Sequence, residues 1–279
     1  MSASESSAET RVAQHYATEK LDERLFAAFA TVGKSKSAIT LDDLAAVDEF
    51  HIGGREATEA IAAQMNLRPG MKLLDIGCGI GGSARYFSSA HGCEVTGIDL
   101  TAEYVRTARV LSEVVGMTGQ VQFQTGNALD LPFEAASFDG AYMFHVGMNL
   151  ADKTQLFREV HRMLRPGAVY AIYDVMRSGD GEFPFPVPWA STQSESFVAP
   201  VAEYREGLAH EGFQFVAERE RREFAIEFFE RMRKRTEQQG PHPLGVQIVM
   251  GTLAMAKIGN LVEALKRGVI APVELLVRC

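Results

Sequence analysis

The chain has 279 residues, is 46% hydrophobic and carries a formal charge of −8; that length and apolar content suit one large core, and the acidic balance excludes nucleic acid or an anionic bilayer as partner. The Ser-, Ala- and Glu-rich start (Met1 to Arg11) lacks the apolar stretch of an export signal, and no apolar run approaches the ~20 residues that span a bilayer. Cys78, Cys93 and Cys279 are odd in number and lack metal-ligand spacing, so the expectation is a cytoplasmic protein with reduced thiols, no membrane partner and no metal.

Leu21, Leu25 and Phe29 share one face of a first helix that stops near Gly33. Residues 31–54 read as a connector with one short helix at 41–46. A second helix follows Gly54, with Ala57, Ile61 and Met65 at helical spacing, until Pro69-Gly70 turns the chain. From Met71 to Val175 short apolar runs at 71–76, 94–98, 121–124, 138–144 and 169–175 alternate with helical segments at 82–90, 102–115 and 152–164. Alternation of this kind predicts βαβ units and a doubly wound α/β core. Thr101 is placed to cap the helix at 102–115, and Pro166-Gly167 to end the one at 152–164.

Residues 177–200 are Pro-rich and irregular, apolar through Phe183, Phe185, Val187, Trp189 and Phe197, and free of Lys and Arg after Arg177. They read as a substrate-covering insertion that disfavours an anionic acceptor. A helix at 201–211, a strand at 213–221, helices at 224–238 and 251–267 and a closing strand "VIAPVELLV" complete the pattern. The expected fold is a seven-stranded, mostly parallel, Rossmann-like sheet. The division is a helical lid segment over 1–54 and a catalytic domain over 55–279, with insertions at 178–200 and 224–268. The second insertion either roofs the acceptor site or makes a homo-oligomer contact.

"LLDIGCGIGG" (73–82) occupies the turn from the first strand into the first helix, where open parallel sheets bind ligands. Glycines at 77, 79, 81 and 82 let a ligand approach the main chain. Asp75, two residues before the first glycine, can accept hydrogen bonds from an amino group and would repel a pyrophosphate. Asp99 lies 24 residues further on, at the end of the second strand, where a carboxylate can hold both hydroxyls of a ribose. The pair selects an adenosine that bears an amine.

On these residues the stretch 71–176 resembles the class I S-adenosylmethionine-dependent methyltransferases, in their small-molecule branch, which includes sarcosine/dimethylglycine and natural-product enzymes. The resemblance implies S-adenosylmethionine as cofactor and S-adenosylhomocysteine as product. It places Asp75, Gly77, Cys78 and Gly79 against the methionine portion, Asp99 on the ribose and Leu100 against adenine. Asn127 and Ala128 of "GNALDLPF" would cap the adenine edge; the family often has Asp where Asn127 stands, and the amide oxygen can still accept from the adenine amino group. Cys78 is a small packed residue there, with nothing to lower its pKa into nucleophilic range.

The sulfonium is already a good electrophile, so the protein chiefly aligns an in-line displacement. A base is needed only where the acceptor carries a proton. His145, ending the fourth strand, is the first candidate and also sits beside the cofactor; Asp174 in the fifth strand and the Tyr16 hydroxyl complete the candidate catalytic set. Phe50, His51, Phe185 and Trp189 are candidate acceptor contacts, and the family's N-terminal elements imply a cover for that site. The expected reaction is methyl transfer to oxygen, nitrogen or carbon of a small, largely apolar metabolite. N-methylation of glycine derivatives is the alternative, which needs Arg177 or Arg55 for the carboxylate. From other classes, a nucleotide-dependent oxidoreductase would want a G-x-G-x-x-G turn without Asp75, and a non-catalytic binding protein would show no turnover.

Overall fold

A computed structural model describes residues 15–16, 20–245 and 247–279. Helices α1 (Leu21–Thr31), α2 (Leu41–Leu44) and α3 (Gly54–Ala62) precede the sheet. The alternating core follows as β1 (Lys72–Ile76), α4 (Gly82–His91), β2 (Glu94–Asp99), α5 (Ala102–Val114), β3 (Val121–Thr125), β4 (Phe138–Phe144), α6 (Lys153–Met163) and β5 (Leu164–Arg177). The C-terminal part adds α7 (Val201–His210), β6 (Gln214–Glu220), α8 (Arg222–Gln239), α9 (Gln247–Met250), α10 (Ala254–Lys266) and β7 (Ile270–Arg278).

The seven strands form one sheet in the order β3-β2-β1-β4-β5-β7-β6. β1 pairs in parallel with β2 and β4, β2 with β3, and β4 with β5, whereas β7 runs antiparallel between β5 and β6. Helices cover both faces of the parallel strands, which is why β1 reads "LLDI" with no polar alternation beyond Asp75. Strand order reverses between β1 and β4, with Asp75 opposite Tyr142 across that pair, so the ligand crevice opens beyond their carboxyl ends.

Three local expectations are corrected. Thr101 holds the N-cap position of α5 without a side-chain cap; its amide donates to Asp99 Oδ1 at 2.8 Å, which ties that turn to the carboxylate instead. Pro166-Gly167 does not end α6: the helix stops at Met163 and β5 starts at Leu164, paired with Phe138 before a register shift leads to Gly140 opposite Val169. The last predicted helix begins at Ala254, after a 3-10 turn at Gly251–Leu253 that separates it from α9.

One apolar stretch does reach the length that the sequence reading did not expect. Gln247–Lys266 is a 20-residue helical stretch of mean hydropathy 1.4, long and apolar enough to cross a bilayer by those two measures, and a third of it is buried in the fold. Its Leu261, Ala264 and Leu265 pack with Val175, Val187, Trp189 and Ile270. Leu244 just before it and Ile248 within it share a core with Leu21, Leu25 and Phe29 of α1 and Tyr104 and Leu111 of α5. The N-terminal segment and the helical insertion therefore meet over the same end of the sheet.

Candidate active site

The turn after β1 is built on glycines for two different reasons. A Cβ at Gly82 would overlap the Asp48 carbonyl oxygen, so this glycine admits protein backbone. Gly79 has φ +53° and only the Phe50 ring near its missing Cβ, at 3.7 Å, so there the bare backbone faces the crevice. Arg85 of α4, wholly buried, donates to Asp48 Oδ2 and the Ile80 carbonyl, both at 2.7 Å, and to Ser112 Oγ at 3.0 Å. One guanidinium thus fastens the segment before α3, the glycine turn and α5 together.

Three polar groups converge at the mouth of this turn. Asp75 is buried, its Oδ2 has no hydrogen-bond partner among the described residues, and its pKa is pushed up to about 8, chiefly by burial, with the Asp99 and Glu49 carboxylates adding to the shift. Asp99 accepts from the Gly79 amide through Oδ2 at 2.9 Å and from the Thr101 amide through Oδ1. Each of its oxygens keeps a further lone pair, which leaves room for two vicinal hydroxyls. Asn127 Oδ1 accepts from the Leu129 amide at 2.9 Å, which fixes the side chain in an Asx turn and leaves Nδ2, a donor, as its free edge. The orphaned Asp75 oxygen, the twice-anchored Asp99 carboxylate and the open face at Gly79 fit an amino acid joined to a ribose.

The same cavity, about 570 Å³ in volume, continues toward a second set of side chains. Cys78, Gly77, Leu100 and Ala128 line it together with Tyr16, Phe50, His51, His145 and Trp189. The Tyr16 hydroxyl donates to Asn149 Oδ1 at 3.2 Å, and burial holds its pKa above the usual phenol range. His51 Nε2 lies 3.0 Å from the Gly54 carbonyl oxygen, 3.0 Å from Thr58 Oγ1 and 3.6 Å from Glu49 Oε2, so it is held in place from three sides. His145 has a left-handed backbone, φ +57°, and its Nε2 is buried without a partner among the described residues. Burial, reinforced by the His51 ring 6.1 Å away, keeps its pKa well below the usual value, so the ring is neutral at pH 7.

Two named candidates stand apart from this cavity. Asp174 points beneath it: Oδ2 accepts from the Tyr204 hydroxyl at 2.6 Å and Oδ1 from the Val175 amide at 3.0 Å, so it anchors α7 to β5. Phe185 packs on Phe183 within the insertion and does not line the cavity. The two arginines considered for a carboxylate are also elsewhere. Arg177 donates to the Gly181 carbonyl and Arg55 to Glu49 Oε1. What periodicity could not locate is the roof: Phe228, Phe229 and Met232 of α8 with Ile258 and Leu261 of α10 close the cavity, so the helical insertion covers this site.

Residues 74–172 match the family described as a methyltransferase domain. This segment is a methyltransferase domain. Over 176 residues the chain is 32% identical to the O-methyltransferase resE of Aspergillus sclerotiorum, across 62% of this chain and 66% of that protein. It is 36% identical over 124 residues to 24-methylenesterol C-methyltransferase 2 of Oryza sativa subsp. japonica, across 43% of this chain and 34% of that one. The chain spans 66%, 36% and 60% of three curated relatives that it matches, in each case less than two thirds of their length. Among solved structures, geranyl diphosphate C-methyltransferase from Streptomyces coelicolor A3(2) superposes with a TM-score of 0.72 at 18% identity, across 98% of both chains, a likeness of fold. In the methyltransferase domain Asp75, Asp99, Asn127 and His145 all fall inside the matched segment. Tyr16, His51, Trp189 and the roof come from the chain on either side of it.

Proposed function

We propose that this chain transfers a methyl group from S-adenosylmethionine to oxygen, nitrogen or carbon of a small, largely apolar acceptor. The observation that carries the reading is one continuous cavity. It brings partners for an amino acid and a ribose together with apolar walls and two histidines. When bound, the cofactor supplies an electrophilic methyl on a sulfonium. The chain's own residues do the rest. The Asp75 carboxylate receives the amino group, Asp99 the ribose hydroxyls, and the Asn127 turn borders the adenine. The roof and the N-terminal segment exclude water and hold the acceptor in line with the methyl, an alignment worth ~7–11 kcal/mol in favourable cases. Neutral His145, with a free Nε2, takes the proton from an acceptor that carries one.

Arg55 and Arg177 are engaged outside the cavity, and this argues against the arrangement first considered for glycine derivatives, in which one of them holds the carboxylate. The acidic surface and the free cysteines fit a cytoplasmic enzyme without nucleic-acid partners. Calorimetric titration with S-adenosylmethionine, S-adenosylhomocysteine and NAD tests the reading. The first two bind the wild type, Asp99→Ala weakens both by roughly ten- to a hundredfold through loss of two hydrogen bonds to a charged acceptor, and NAD does not bind. Equal affinity of wild type and variant would sink it.

A further inference from the structure

Lys257 of α10 is 8% exposed and lines the cavity at its roof. Among the described lining residues it is the only Lys or Arg. Among the described residues its one polar neighbour is His15, with Nζ 3.3 Å from Nε2. That same Nε2 lies 3.0 Å from the Pro188 carbonyl oxygen, an acceptor that requires the imidazole to place its hydrogen there. A nitrogen that donates to Pro188 cannot also accept from Lys257. An ammonium with three N–H groups thus faces the cavity with no acceptor of its own among the described residues, and no salt bridge to it is formed there. Burial lowers its pKa accordingly.

None of the five carboxylates among the described lining residues forms a salt bridge to it. Asp48 is bound by Arg85 and Glu49 by Arg55, Asp152 accepts from the Gln155 amide, and Asp75 and Asp99 sit at the glycine turn. A partly buried cation without a counter-charge costs stability, a cost that an anionic ligand at this position would offset. Around the roof the surfaces are Trp189, Phe228, Phe229, Ile258 and Leu261.

Resting on the methyltransferase reading, we infer that Lys257 forms a recognition site for an oxyanion on the acceptor, so that the substrate is an amphiphile: an apolar body with a carboxylate or comparable anionic oxygen at the end directed to the roof. His15, held by Pro188 and by Ser191 Oγ at 3.4 Å from Nδ1, has both ring nitrogens engaged and leaves the lysine's N–H groups to the acceptor. The sequence pointed away from an anionic acceptor because residues 178–200 carry no cation. The cation comes instead from α10, nearly sixty positions beyond.

The test uses the full chain saturated with S-adenosylhomocysteine and a matched pair of probes, decanoate and its methyl ester, titrated by calorimetry. Decanoate binds the wild type roughly ten- to a hundredfold more tightly than the ester, Lys257→Arg keeps that preference, and Lys257→Met abolishes it. In the ligand-free state Lys257→Met also raises the melting temperature, because the unpaired cation is gone, whereas a lysine with a structural role would lower it. Failure of decanoate to bind better than the ester, or a preference that survives in Lys257→Met, overturns the inference. Loss of S-adenosylhomocysteine binding by the wild type would instead overturn the methyltransferase reading on which it rests.

Discussion

At His145 the chain leaves β4 in a left-handed conformation that few non-glycine residues adopt, and the amide donates to the Tyr173 carbonyl at 2.7 Å. That turn aims the imidazole into the cavity instead of along the sheet. Its lowered pKa keeps the base form present even in mildly acid solution, so the rate does not fall with a midpoint near 6.5 on its account. With a hydroxyl acceptor, His145→Gln is expected to lower kcat by ~10²–10⁴ while calorimetry shows S-adenosylhomocysteine bound as in the wild type. An unchanged kcat would show that the acceptor needs no base or that another group supplies it. His145 was legible in the sequence as the residue at the end of a strand. Glu49, Asn149 and Lys257 were not, because nothing local marks a carboxylate, amide or ammonium as facing a cavity that other segments enclose.

At the scale of elements, α4 and the segment before α3 are joined by the Arg85–Asp48 pair, both side chains about 1% exposed. A buried pair of this kind adds little over an apolar pair, but breaking it leaves one charge uncompensated. Arg85→Met is therefore expected to destabilise by ~3–5 kcal/mol, and the double variant Arg85→Met/Asp48→Asn by clearly less, both read from urea denaturation midpoints. Additive losses would mean that the two residues act separately. The parallel strands and their helices followed from alternating apolar runs, because each element buries a face with its own period. Helix α6 and strand β5 were legible in kind but not at their junction, since Leu164 starts a strand by pairing with Phe138, a partner 26 positions earlier. The edge strand β6 is exposed along its length and was found from its β-forming residues alone.

For the whole molecule, Asp75 couples folding, ligand and pH. Its pKa rises from the ordinary 3.8 to about 8 in the fold, so the native state holds a proton that the unfolded chain gives up. Between those values the Asp75 contribution to stability declines as pH rises, and above about 8 it changes no further. An ammonium bound at Asp75 requires the carboxylate form, so the melting-point increase caused by S-adenosylmethionine is expected to grow from about pH 6 to about pH 8; Asp75→Asn should remove most of that slope in scanning fluorimetry. A ligand-induced shift independent of pH would place the amino group elsewhere. The sequence by itself determined the doubly wound core, the glycine turn and the spacing of Asp75 and Asp99, because these depend on local period, backbone freedom and short-range order along the chain. Only the tertiary structure decided that the helical insertion roofs the cavity, that Asp174 and Phe185 stand outside it and that Lys257 turns inward, because burial and charge pairing are set by segments far apart in sequence that meet only when the sheet has formed.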